Sequence, residues 1–244
     1  MKRILHSLAW FSGLGLANFA LGATLQVSPI SLSLQPAQNA DGLWLSNTGD
    51  EVVHAQVRVY HWSQENGEEQ LALSRGLVIS PPMLNLAAAD KQLIRVVRVG
   101  APPSGANAVE DSFRVVIDEL PIEGKEKKGL QFVLHYSIPV FVEPVGTTVT
   151  PHLAWNLRKD GDHAVLEIAN SGTGHAQVAD VEFVDAAGKR TEVAHGLLGY
   201  ALPGATVHWM LKVPAATFVA GGAFEASING AKATQNVSLA DRPR

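Results

Sequence analysis

Nine histidines and twenty-three acidic residues could supply a metal site or an acid–base pair, but their spacing supports neither. No His-Glu-Xaa-Xaa-His or His-Xaa-His occurs, so no local motif pairs two imidazoles as metal ligands. His54 and His61 are seven apart, which places them on opposite faces of a strand. The chain has no cysteine, which excludes disulfides, thiolate metal sites and cysteine nucleophiles. It also lacks a Gly-Xaa-Ser-Xaa-Gly elbow, a phosphate loop and a dinucleotide fingerprint. No catalytic residue, metal ligand or cofactor is expected, and the chain reads as a non-enzyme.

Arg114 is the exception among the charged residues. It is fenced by Phe113 on one side and Val115-Val116 on the other. A guanidinium in apolar surroundings can take a carboxylate through two parallel hydrogen bonds, where lysine offers a point charge. The alternatives are an internal ion pair with Asp118 or Glu119, or a solvated place on the rim.

Binding chemistry of another kind lies in Leu130–Val142. Leu130, Phe132, Leu134, Tyr136 and Ile138 fall on one face of an extended strand, and Gln131, Val133, His135, Ser137 and Pro139 on the other. In a two-layer fold the large face can simply point inward. Pro139 argues for something more, since proline lacks the amide that a central strand needs, and this strand should therefore have a free edge. Proteins usually blunt such edges with charge. Here the charge lies upstream, in the loop Glu123–Gly129. An unguarded apolar edge can accept a partner strand, each large side chain contributing about 1.5–3 kcal/mol when covered.

Short strands must hold these residues. Val57, Val59 and His61 alternate with Arg58, Tyr60 and Trp62. Similar β-rich runs lie at Leu93–Val99, Val115–Ile117, Val165–Ile168, Val181–Val184, Val207–Leu211 and Asn236–Leu239. Turn residues divide them at Asn66-Gly67, Lys159–Asp162, Ala187-Gly188 and Asn229-Gly230. Trp44 and Trp209 lie in alternating strands and are expected to fill cores. Two blocks repeat at an offset of about 120 residues. Leu43–Gly49, with His54–Val57 after it, matches Leu166–Gly172 followed by His175–Val178. Each copy reads as a hairpin around an Asn-Xaa-Gly turn, with His54 and His175 in equivalent structural positions.

The expected fold is all-β: two immunoglobulin-like β-sandwich domains set at an angle with a cleft between them. Residues 24–146 form the first and 147–244 the second, with the boundary near Glu143–Thr150. Residues 1–23 read as a signal peptide: Lys2 and Arg3, an apolar run, then small residues allowing a cut after Gly22 or Ala23. With 46% hydrophobic and 17% charged residues, general disorder is excluded. A net charge of −4 gives no pull toward nucleic acid or anionic lipid, and no membrane insertion is expected after leader removal.

Four motifs in order carry a family resemblance. They are Asn47-Thr48-Gly49, Ser80-Pro81-Pro82 with Leu86, Ser112–Pro121, and Tyr136–Phe141. With the leader and two domains, the chain resembles the pilus-assembly chaperones of the chaperone–usher pathway, and among them the archaic, spore-coat-U-type branch. The resemblance implies a periplasmic chaperone that fills the groove of an incomplete fimbrial subunit with its own strand, from Leu130, Phe132, Leu134, Tyr136 and Ile138. It further implies delivery of that subunit to an outer-membrane usher. The better-known branch anchors the subunit's terminal carboxylate on two cations, and Ser31 and Pro139 stand in their places here. The archaic branch resembles this chain in placing an arginine where Arg114 lies, which implies Arg114 as anchor. The alternative is a secreted two-domain adhesin or structural surface protein, which would hide its edges.

Overall fold

A computed structural model describes residues 25–121 and 133–240 of the 244-residue chain. The leader, Leu130 and Phe132 lie outside the described residues. The first sandwich contains β1 (Leu25–Ser28), β2 (Leu32–Leu34), β3 (Ala40–Asn47), β4 (Val53–Glu65) and β5 (Glu68–Leu73), followed by β6 (Leu77–Ser80), β7 (Met83–Leu86), β8 (Lys91–Arg98), β9 (Asp111–Leu120) and β10 (His135–Val142). One sheet runs β1-β3-β8-β6 and the other β2-β10-β9-β4-β5, with β7 also paired to β4. Period-two alternation sends Leu43, Leu45, Val57, Ile94, Val115 and Ile117 between the two sheets, where they form one core.

The second sandwich contains β11 (Leu153–Asp160), β12 (His163–Asn170), β13 (Ala176–Asp185) and β14 (Arg190–Ala201), then β15 (Thr206–Pro214), β16 (Gly222–Ile228), β17 (Ala231–Val237) and β18 (Leu239–Ala240). Its sheets run β15-β12-β11-β18 and β14-β13-β16-β17. A 3-10 turn at Ala215–Phe218 delivers Phe218 against Phe183 at 4.8 Å, edge to face, within the second core. These are the two immunoglobulin-like sandwiches expected from the alternation.

Both repeat motifs have the same geometry, but neither is a hairpin. β3 and β12 end at Asn47 and Asn170, and the chain then crosses to the opposite sheet as β4 and β13. The asparagine side chain builds this corner. Asn170 Nδ2 donates to the Gly174 and Ala201 carbonyls at 2.8 and 2.9 Å, while its Oδ1 accepts from Gly172 and His152 amides at 2.9 and 3.1 Å. Asn47 donates to the Glu51, Leu86 and Ala87 carbonyls and accepts from Gly49. A buried amide that satisfies backbone groups on both sheets needs both donor and acceptor, so the motif selects asparagine.

Trp44 is also a correction. Leu43 and Leu45 take the inward positions of β3, so alternation turns Trp44 outward, 42% exposed, with Lys91 Nζ 4.6 Å above its ring. Trp209 packs partly buried against the second core.

Candidate functional site

β10 is unevenly flanked. Along its whole length it pairs antiparallel with β9, from His135 opposite Asp118 to Val142 opposite Asp111. On its other side β2 runs parallel to Val140–Val142, where Leu32–Leu34 close the edge. Among the described residues His135–Pro139 have no strand on that side. Pro139 thus sits where the covered part of the edge gives way to the open part, consistent with its missing amide hydrogen.

The large face of this segment points toward the first core, but to different depths. Ile138 is buried there and has little surface left to lend. Tyr136 and Leu134 pack on the core while remaining partly exposed. The Tyr136 hydroxyl donates to the Leu25 carbonyl, and its burial raises the phenol above its ordinary pKa. Leu134 precedes the strand proper, yet its carbonyl accepts from the Glu119 amide at 2.9 Å and its amide donates to Glu119 Oε2 at 3.1 Å.

Arg114 lies on β9 directly opposite Pro139, on the face turned away from the core. Its guanidinium is stacked 3.6 Å over the Trp62 ring and 5.3 Å from that of Tyr200. The side chain is 10% exposed. Nη2 donates to Glu69 Oε1 at 3.3 Å and Nη1 to the Ser137 carbonyl at 3.4 Å, while buried Nε has no partner among the described residues. Burial lowers the Arg114 pKa, opposed by Glu69, and the group stays charged at any physiological pH. Neither internal partner expected from the sequence is used. Asp118 is bonded instead by Arg58 and His135, which outweigh its burial and hold its carboxyl below the ordinary range. Glu119 is engaged with Leu134.

The same outward face is covered by the second domain. Trp62 and Phe141 pack with Tyr200, Leu202 and Ala205 in a small apolar cluster. Gln64 clips the two domains together, donating to the Tyr200 carbonyl and accepting from the Leu202 amide, both at 2.9 Å. Buried Glu110 accepts from the His175 backbone amide at 3.2 Å, and its Oε1 lies 2.7 Å from His175 Nδ1. The His175 ring stacks on Phe141 at 3.6 Å, nearly parallel. His175 is thus an interdomain residue, a role its repeat position did not disclose. The β4–β5 turn, Asn66-Gly67, reaches across to bridge Val207. Both turn residues have positive φ, as a tight hairpin requires, and a Cβ on Gly67 would lie 2.0 Å from His208 Nε2.

A cleft of about 220 Å³ opens at this junction, lined by Ser31, Phe141, His175, Gln177, Tyr200 and Asn229. Its lining has no lysine or arginine, and the Arg114 guanidinium lies 5.3 Å from the ring of Tyr200, one of the lining residues. Among the described residues no group of three or more His, Asp or Glu side chains could hold a metal ion. No helix among them is long and apolar enough to cross a membrane.

Glu69, Trp62, Tyr200 and Glu110 were not singled out from the sequence as site residues. A usable sign was the pairing of Tyr60 and Trp62 with Arg58 on the face opposite Val57 and Val59. Large aromatics on a face that should meet water mark a surface that something covers.

No curated protein sequence matches the chain. The fold is similar to the chaperone–tip adhesion subunit pre-assembly complex CsuC–CsuE from archaic Csu pili of Acinetobacter baumannii, at TM-score 0.68 and 23% identity, over 89% of this chain and 100% of that one. It is also similar to the Salmonella enterica SafA pilin–SafB chaperone complex, at TM-score 0.59 and 17% identity, over 88% and 96% of the two chains. The Pseudomonas aeruginosa CupB2 chaperone matches at TM-score 0.57 and 16% identity, over 88% and 100%. Residues 24–148, just over half the chain, match the N-terminal domain of the pili and flagellar-assembly chaperones, PapD type. The chain belongs to that family of pilus-assembly chaperones.

Proposed function

We propose that this protein is a periplasmic chaperone of the archaic branch. It holds an incomplete, spore-coat-U-type fimbrial subunit by lending it the strand segment before Pro139, and then passes it to an outer-membrane usher. Leu130, Phe132, Leu134 and Tyr136 supply the lent face; Ile138 belongs to the chaperone's own core. Arg114 receives the subunit's terminal carboxylate. The observation that carries this reading is the open side of β10 along His135–Pro139, with a buried, loosely paired guanidinium on the adjoining strand. Similarity to the CsuC–CsuE complex supports the branch and the class of partner. The leader supports the compartment.

Strand addition needs no chemistry from the chaperone. Backbone hydrogen bonds along an unpaired edge supply general affinity, and side chains entering the subunit groove fix the register. A carboxylate meeting Arg114 then sets where the subunit chain ends along that edge. The two elements divide the work between burial and charge.

The test is co-expression with a candidate subunit encoded beside the gene, followed by pull-down. A one-to-one complex is expected, and it should be lost when Phe132 and Leu134 are both changed to Glu. A complex that survives this double change would refute strand donation, and no complex with any such subunit would favour the surface-protein alternative.

A further inference from the structure

The contacts around Arg114 are those of a site whose present occupant fits poorly. Charge-assisted bonds between guanidinium and carboxylate normally close to about 2.7–2.9 Å. Among the described residues the two bonds measure 3.3 and 3.4 Å, one of them to a carbonyl, and a buried Nε donor is left over. Arg114 cannot improve matters by moving, because its stem is packed and its plane lies on Trp62.

Glu69 is placed very differently. It belongs to β5, an edge strand whose six residues are all exposed, and its side chain is 51% exposed against 10% for Arg114. When the pair separates, the carboxylate returns to water while the cation stays buried. Separation needs no movement of the hairpin that carries Glu69. The tip of that hairpin is held on the second domain through Gly67 and Val207, and Gln64, opposite Glu69 in register, is bonded to Tyr200 and Leu202. A side-chain rotation is enough.

We infer that Glu69 is an exchangeable counter-ion: it covers the Arg114 charge in the free chaperone, yields it to the arriving chain-terminal carboxylate, and recaptures it on release. This rests on the reading of Arg114 as the carboxylate anchor. An unpaired buried guanidinium would be costly, so Glu69 lowers the free energy of the empty chaperone. By doing so it weakens net binding and keeps the complex releasable. The bound carboxylate gains only the difference between a close bidentate pair and the loose one already present.

The experiment compares the parental chain with Glu69→Gln, Arg114→Met and the double variant, each against the same purified subunit from the neighbouring gene. Dissociation rate and the melting temperature of the free chaperone are both measured. A half-exposed pair is typically worth a factor of about two to five. Glu69→Gln should therefore slow dissociation about two- to five-fold while lowering the melting temperature of the free protein. The double variant should bind as poorly as Arg114→Met alone, because Glu69 acts only through Arg114. If Glu69→Gln dissociates at the parental rate or faster while Arg114→Met still loses the subunit, the exchange is refuted and the anchor stands. If Arg114→Met retains the subunit at parental strength, the anchor reading fails and the exchange with it.

Discussion

Replacing Arg114 by methionine separates what this residue does for the fold from what it does for a client. Methionine keeps an unbranched stem of similar reach, and its thioether can rest on the Trp62 ring, a contact worth about 0.3–1.5 kcal/mol. The free protein loses a desolvated cation–π stack of about 2 kcal/mol and two long hydrogen bonds. It also sheds the burden of burying an incompletely paired charge, which is several kcal/mol. These oppose each other, so the free variant should melt within a few degrees of the parent, on the scale of about 2–4 °C per kcal/mol for a chain of this size. The complex has no such compensation. Two charge-assisted bonds contribute about 1.5–3 kcal/mol each, against at most about 1 kcal/mol for the Glu69 contact they replace. The smallest resulting loss is about 2 kcal/mol, or roughly thirty-fold in Kd. Thermal melting by circular dichroism and subunit titration by calorimetry measure the two sides. A variant that melts with the parent and binds within three-fold of it would refute the reasoning, since the buried charge would then have no client to serve.

Asn170→Ala should remove the four bonds that hold the β12–β13 corner and leave buried carbonyls without donors. The expected loss is about 2–4 kcal/mol, read from the urea midpoint, and Asn170→Asp should be no better because a carboxylate cannot donate to Gly174 and Ala201. Asp118 should shape the acid limb of stability. Its folded pKa is lowered, so its contribution is complete above the ordinary carboxylate range and is lost as pH falls through the folded value. Asp118→Asn should therefore reduce stability at neutral pH and flatten the decline below about pH 4, measured as the urea midpoint against pH. An unchanged acid limb would show that Arg58 and His135 gain nothing from that carboxylate.

The sequence by itself determined many of the strands and the division of each into two alternating faces, because alternation is local and a one-residue slip would expose a whole hydrophobic row. It therefore also disclosed the apolar ribbon that ends at Pro139 and the fenced position of Arg114. What lies across from a strand is not local. The Asn47 and Asn170 corners read as hairpins because the same Asn-Xaa-Gly residues suit a turn within one sheet or a passage between two, and only their carbonyl partners, up to 40 residues distant, decide between them. Trp44 and Trp62 are both outward-facing aromatics on their strands, yet one meets Lys91 and water and the other lies beneath Arg114 and the second domain. Glu69 joins Arg114 from 45 residues away because β5 is folded back along β4, which lies between them in the sheet. Periodicity assigns a side chain to a face, whereas the packing of sheets and domains determines which residue, if any, will cover it.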